Sequence, residues 1–433
     1  MVPLPRDGVA AVARLFWPLA VSWMFMSLEA PIAMAILSRS DQPAIGAAGF
    51  LILMAVSIWI ESPVIDLLST STAFARSRPD FLRVRRFTLA MMVWVTVAHG
   101  IVAFTPLYWF LARSALGLPE EVAQAVHLPL RIMLPWSALI GWRRFQQGLL
   151  IRSGNTRPIV LGTTLRLATI GLVGFGLFRL AGVPALESTA IALVCSVAVE
   201  SLFVSWIVQP LIRERYSQTS DSAGVPLGHL LRFHLPLTAT TMVSLTVTPL
   251  LGSALARMPD SVRSMAAWQV AITLVGIVRI IPFALPETVI ALYDERRGLH
   301  ALAWFSVLLA SALTAVLGSA WILGLDRHLF ESILRVPSDL VPLARAGVAA
   351  SILLPAIGVA LGFFRGVLAA EHRSSSRLWA MLLGIAVLVA LLYAVAPRLG
   401  VAGVVAAAAS LTVSQLIEAA ALAAASLRRR PLA

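Results

Sequence analysis

Eight ionisable side chains stand inside long apolar runs of this chain: Glu29, Glu61, Asp66, Arg166, Glu200, Arg279, Glu287 and Glu418. An acid or an arginine at the centre of a membrane helix costs about 2.5–3.5 kcal/mol, so each needs a partner or a water-filled cavity. Their spacing suggests several kinds of chemistry. Glu29 lies two residues before Pro31. Glu61 and Asp66 bracket Pro63 in the stretch WIESPVID, five residues apart and so about 140° around an ideal helix. They do not share a face unless the proline turns one of them. Proline removes an N–H and leaves the Trp59 carbonyl without its helical partner, so a bend is expected there. Arg166 has no obvious local partner, and a guanidinium beside a wet cavity suits carboxylate or phosphate. Glu287 follows Pro286, where a broken helix would expose it.

The elements carrying these charges follow from composition. The chain has 433 residues, is 59% hydrophobic and 13% charged, and has a mean hydropathy of +0.88. A soluble domain cannot cover itself with so little polar surface. Apolar runs long enough to cross about 30 Å of hydrocarbon recur throughout. Twelve helices are predicted, near 11–37, 46–74, 87–112, 126–151, 158–179, 185–210, 230–256, 264–293, 300–325, 340–368, 376–396 and 401–427. The expectation is an all-α polytopic membrane protein. Arg6 and Asp7 lead directly into the first run without a small-residue cleavage site, so no cleaved signal is expected. The single cysteine, Cys195, excludes an internal disulfide and a paired-cysteine metal site. No cofactor is expected.

Every one of the 34 basic residues is arginine. One face collects Arg14, Arg76, Arg78, Arg83, Arg85, Arg86, Arg152, Arg157, Arg213, Arg215, Arg232, Arg296, Arg297, Arg373, Arg377 and residues 428–430, with Arg6. The other carries fewer, among them Arg39, Arg113, Arg179, Arg257, Arg263, Arg327, Arg335 and Arg398. The heavier face is read as cytoplasmic, with both termini on it, in a cell inner membrane. The net charge of +13 is then a topology signal rather than a nucleic-acid footprint.

The two halves repeat at a constant offset of 218 residues: Arg14, Pro18 and Leu19 recur as Arg232, Pro236 and Leu237. Pro31, Arg39, Gly148, Gly182 and Glu200 likewise recur as Pro249, Arg257, Gly366, Gly400 and Glu418. Six helices per repeat give both halves the same sense in the membrane. Two parallel six-helix lobes around a central cavity are expected, 1–212 and 229–433, joined by a cytoplasmic linker over 213–228. Glu200 and Glu418, at matching positions, are expected to brace each lobe, and His99 to be a packing residue. Glu61 aligns with Arg279, so these two are expected to pair between lobes as a latch.

The segment Phe145-Gln146-Gln147-Gly148 with Gly154-Asn155-Thr156-Arg157-Pro158 resembles the helix 4 to helix 5 signature of multidrug and toxic compound extrusion (MATE) transporters. Leu399-Gly400-Val401-Ala402-Gly403 resembles the start of their last helix, and Phe364-Arg365-Gly366 with Ser374-Ser375-Ser376-Arg377 a worn copy of the first signature. The arrangement of six and six resembles the wider multidrug/oligosaccharidyl-lipid/polysaccharide (MOP) superfamily. A further likeness, on Trp17-Pro18-Leu19, Glu29, Pro63 to Asp66 and Pro236-Leu237 through Arg257, points to its progressive-ankylosis branch.

The resemblance implies a monomeric secondary-active antiporter that exports a small organic ion in exchange for protons or sodium, by rocking of its lobes. It implies that the helix 1 acid, Glu29, binds the coupling proton or cation. The alternatives are a small-anion exporter, for pyrophosphate, nucleotide or citrate, and a lipid-linked saccharide flippase. For a flippase Arg143, Arg144, Arg166, Arg279 and Arg365 are available to a diphosphate. The candidate site is thus Glu29, Glu61, Asp66, Arg166, Arg279 and Glu287, with the bilayer and a small or lipid-linked substrate as partners. An enzyme is disfavoured: neither HExxH nor GxSxG occurs and loops are short.

Overall fold

A computed structural model describes residues 8–153, 155, 157–216, 224–293, 299–371 and 373–427. Arg6, Gly154 and Thr156 of the motif, residues 217–223 of the expected linker, Arg296, Arg297 and residues 428–430 lie outside the described residues.

The described residues are helical, without strands. In chain order the long elements are α1 (Val9–Leu37), α2 (Pro43–Phe74) and α3 (Arg78–Phe104). Next comes α4, in two pieces (Glu120–Ile132 and Trp136–Ser153). They continue as α5 (Arg157–Leu180), α6 (Ala185–Arg215), α7 (Leu227–Ala256), α8 (Ser261–Leu292) and α9 (His300–Ile322). The last three are α10 (Val341–Ala370), α11 (Ser375–Arg398) and α12 (Gly403–Leu427). Eleven of these are long and apolar enough to cross a membrane. The exception is α4, whose pieces fall where the fourth span is predicted but carry Arg131, Arg143, Arg144 and Arg152.

The predicted α3 is displaced towards the C-terminus. Ser77 and Asp80 form a capping box that starts the helix before its arginines, and Thr105-Pro106 ends it. Beyond that break Tyr108, whose hydroxyl burial pushes well above its usual range, donates to the Ala123 carbonyl.

The repeat is written into the backbone. α1 breaks at Leu28 and α7 at Thr246, three residues before Pro31 and Pro249. α2 breaks at Asp66, and α8 passes through a 3-10 turn over Ile281–Ala284. The pieces of α4 end and resume at Ile132 and Trp136, those of α10 at Ala350 and Leu354. Gly117 and Arg335 are both left-handed, as are Gly182 and Gly400. All these pairs keep the 218 offset, Asp66 falling opposite Ala284. Gly148 and Gly366 match too. A Cβ on Gly148 would collide with Ser71 Oγ and the Leu68 carbonyl on α2, and one on Gly366 with Val289 and the Pro286 carbonyl on α8. The motif glycine therefore lets α4 close on α2, and its mate lets α10 close on α8.

Packing divides the chain into two compact units, 36–257 and 1–35 with 258–433. This differs from the predicted lobes of 1–212 and 229–433. α7 packs on α2 within the first unit, and α1 on α8 and α9 within the second. An offset in sequence matches helices to one another but does not say which half each first helix packs against.

Candidate functional site

In the unit spanning 36–257 the charges converge on Glu200 of α6, which is fully buried. Arg143 Nη1 of α4 donates to its Oε2 at 2.8 Å, and Gln147 Nε2, one turn on, to Oε1 at 3.3 Å. Arg166 of α5 is also buried and places Nη1 3.7 Å from the same Oε2. The sequence offers Arg166 no local partner; the structure supplies one across the α5–α6 hairpin. Gly162, one turn before Arg166, leaves the room: a Cβ there would stand 3.2 Å from Glu200 Cγ.

Arg144 lies beside this group, within electrostatic reach of Glu200, Arg143, Arg166 and Glu61. It is also within electrostatic reach of Asp66. Glu61 and Asp66 thus both lie near one arginine. The helix carrying them breaks at Asp66. Upstream of it, Ser62 Oγ donates to the Trp59 carbonyl at 2.8 Å, in place of the N–H that Pro63 lacks.

Downstream, the buried His234 of α7 holds the break by two ring contacts. Its Nε2 is 2.8 Å from the Pro63 carbonyl and its Nδ1 2.9 Å from Thr70 Oγ1. The sequence reading passed over His234 and named Arg144 only among the arginines available to a diphosphate. For His234 a signal exists: its repeat mate is Phe16, a core residue, so the polar side chain belongs to one half only. His99, by contrast, packs as expected, with Nε2 2.9 Å from the Leu130 carbonyl just before the α4 break.

In the other unit Glu418 of α12 pairs with Arg365 of α10. Arg279 of α8 lies within electrostatic reach of both, and Arg377 of α11 within reach of Arg365. Arg365 and Arg279 thus share one carboxylate, with Arg377 beside Arg365, whereas the first unit balances Arg143, Arg144 and Arg166 against Glu61, Asp66 and Glu200. Glu29 is half-buried at the α1 break and Glu287 is exposed on α8. The structure thus groups Glu61, Asp66 and Arg166 in one unit, and leaves Glu29, Arg279 and Glu287 in the other. Glu61 and Arg279 each have charged neighbours within their own unit, Arg144 for the one and Arg365 with Glu418 for the other. The brace expected of Glu200 and Glu418 is present in both units. The acid keeps its place, while its arginine moves one turn, from Arg143 to the position matching Gln147.

No protein-family profile and no curated protein sequence matches the chain. Solved structures do match, over nearly its whole length. An inward-facing multidrug resistance MATE family transporter of the MOP superfamily aligns at 14% identity and TM-score 0.68, covering 97% of this chain and 98% of its own. A MOP superfamily transporter from Pyrococcus furiosus, described as having a binding pocket of reverse polarity that suggests a different function, aligns at 16% identity and TM-score 0.65, with 98% and 96% covered. The lipid II flippase MurJ, in an inward closed conformation, aligns at 12% identity and TM-score 0.64, with 94% and 87% covered. The fold is that of MATE-type transporters, in a multi-pass membrane protein.

Proposed function

We propose that this chain is a secondary-active transporter that exports a small organic ion by alternating access, in exchange for protons or sodium. The observation that carries the reading is the placement of charges at helix breaks repeated at one offset in both halves: Glu29 follows the α1 break, Asp66 stands at the α2 break and Arg279 lies just before the α8 turn. Small rotations of the short helical pieces would change the partners of such charges. Solved MATE structures in inward-facing and outward-facing conformations both align with 97% of this chain, at TM-scores of 0.68 and 0.62, which supports alternation on this fold. In this reading Glu29 binds the coupling ion at the α1 break. Asp66 and Glu61 answer to Arg144 as the α2 break moves, and Arg279 and Glu287 meet the cargo. Arg166 braces Glu200. We place the chain in a cell inner membrane as a monomer with both termini cytoplasmic, and ascribe no enzymatic step to it.

The test is Glu29→Gln in proteoliposomes with an imposed proton or sodium gradient. The expected result is loss of gradient-driven ethidium efflux with an unchanged unfolding temperature. Driven efflux retained in that variant removes Glu29 from the mechanism.

A second reading rests on Arg279, Arg365 and Arg377, which are grouped with the single carboxylate of Glu418. An excess of guanidinium suits an anion such as pyrophosphate, citrate or a polyprenyl diphosphate. Two of the aligned structures, the flippase and the transporter of reverse polarity, are consistent with it. Thermal unfolding with organic cations and these anions separates the readings, since a ligand at 100 times its Kd stabilises by about 2.7 kcal/mol. A cation hit lost in Glu29→Gln favours the first reading. An anion hit lost in Arg279→Ala favours the second.

A further inference from the structure

The contacts of His234 fix where its protons go. The Pro63 carbonyl only accepts, so Nε2, 2.8 Å away, carries a hydrogen and donates it. In the neutral ring Nδ1 then accepts from the Thr70 hydroxyl at 2.9 Å. Thr70 Oγ1 has a second acceptor, the Asp66 carbonyl at 3.1 Å. A proton arriving on Nδ1 therefore strands nothing. Nδ1–H donates to Thr70 Oγ1, the hydroxyl hydrogen turns to the Asp66 carbonyl, and Nε2–H stays on Pro63. One proton enters and no covalent bond breaks. His99 shows the contrast: its Nε2 is bonded, but its buried Nδ1 has no hydrogen-bond partner among the described residues, so a second proton there would be stranded.

We propose that His234 is a proton-binding site of the coupling step, and that its protonation tightens the hold of α7 on the broken α2 beside Asp66. The proposal rests on the transporter reading and names the coupling ion as the proton. The ring thus meets Pro63 before the break and Thr70 after it, so one helix grips both sides of the break. The helices that pack on this part of α7 are α2 and α3. α2 contributes Glu61 and Asp66, and α3 contributes Asp80, Arg78, Arg83, Arg85 and Arg86. α7 itself adds His229 and Arg232, and Phe87 of α3 lays its ring edge-on to His234. A hydrogen bond from a charged donor is stronger than one from a neutral donor, which gives protonation its mechanical effect.

The test uses the full chain in lipid nanodiscs, with labelled histidines followed by NMR between about pH 5 and pH 8, the His234 signal assigned by its loss in His234→Gln. Amide exchange over residues 60–70, expressed at each pH relative to the intrinsic base-catalysed rate of an unstructured amide, is followed in parallel. The expected result is a titrating His234 ring, with exchange slower by roughly fivefold at the acid end. That pH dependence should vanish in His234→Gln, whose amide still donates to Pro63 but takes no proton. Thr70→Val keeps the ring and removes the relay, and should lower the titration midpoint by about one unit. A ring that stays neutral throughout, or exchange whose pH dependence survives His234→Gln, overturns the proposal. Proton-driven ethidium efflux retained in His234→Gln overturns the coupling role. If no gradient drives any flux in the unaltered protein while the ring titrates and exchange slows, the transporter reading fails and the proton site stands.

Discussion

At the scale of single residues, the two braces differ in how much water reaches them. Arg143 and Glu200 have side chains 3% and 0% exposed, whereas Arg365 and Glu418 are 34% and 9% exposed. Removing one partner of a buried pair leaves an uncompensated charge and costs about 3–5 kcal/mol. Glu200→Ala should therefore lower stability by about that amount, since it strands Arg143 and deprives Arg166 of its neighbour. Glu418→Ala should cost clearly less, because Arg365 can hydrate. Thermal unfolding of the two variants in one detergent checks the order; equal losses would show that exposure does not set the cost. Which acids to weigh was readable from their rarity in apolar runs. Their partners were not, because Glu200 meets Arg143 and Arg166 across helices that no local spacing connects. Glu29 has Val247 as its repeat mate, so its charge belongs to one half only, and the same comparison applied to histidine would have found His234.

At the scale of elements, the repeat gives a controlled comparison of one backbone conformation filled by two residue types. Gly117 (φ 66°) and Arg335 (φ 59°) occupy matched left-handed positions. Only glycine takes this conformation without crowding its Cβ, a strain of about 1–2 kcal/mol for other residues. Arg335 is exposed, so Arg335→Gly removes strain and little else, and should stabilise by about 0.5–1 kcal/mol. Gly117→Ala should destabilise by more than that, because its Cβ would also stand 2.8 Å from the Arg257 guanidinium carbon. A gain and a loss in chemical or thermal unfolding are the expected signs; a loss in both would mean that the Arg335 side chain holds the turn. The bend near Pro63 was legible, although proline alone does not announce a break: Pro18, Pro210 and Pro236 lie inside continuous helix. The α4 break between Ile132 and Trp136 was not legible. Pro129 stays inside the helix there and Pro135 lies in the gap, so neither proline marks the point where the ladder stops.

At the scale of the whole molecule, charge fixes orientation where shape cannot. The two halves are related by a repeat of like sense, so helix packing is nearly indifferent to which face is cytoplasmic, and arginine placement decides. The connection after α3 holds Ser114, on the short helical turn Phe110–Ala115, and that after α9 holds Ser338; the turn between α4 and α5 holds Asn155, and Arg373 precedes α11. If the arginine-rich face is cytoplasmic, Ser114 and Ser338 lie outside and Asn155 and Arg373 inside. The background for a labelling test is clean, because the chain has one cysteine, Cys195, within α6. With Cys195→Ser, single cysteines at 114 and 338 should react with a membrane-impermeant maleimide in intact cells. Those at 155 and 373 should react only after permeabilisation. Reversed labelling at all four positions would invert the topology and keep the fold. Labelling of 114 and 338 from opposite sides would be more damaging. These loops follow the third helix of each half, and only halves of like sense put both on one face, so that result would break the repeat on which the matched helix breaks and the paired braces are read.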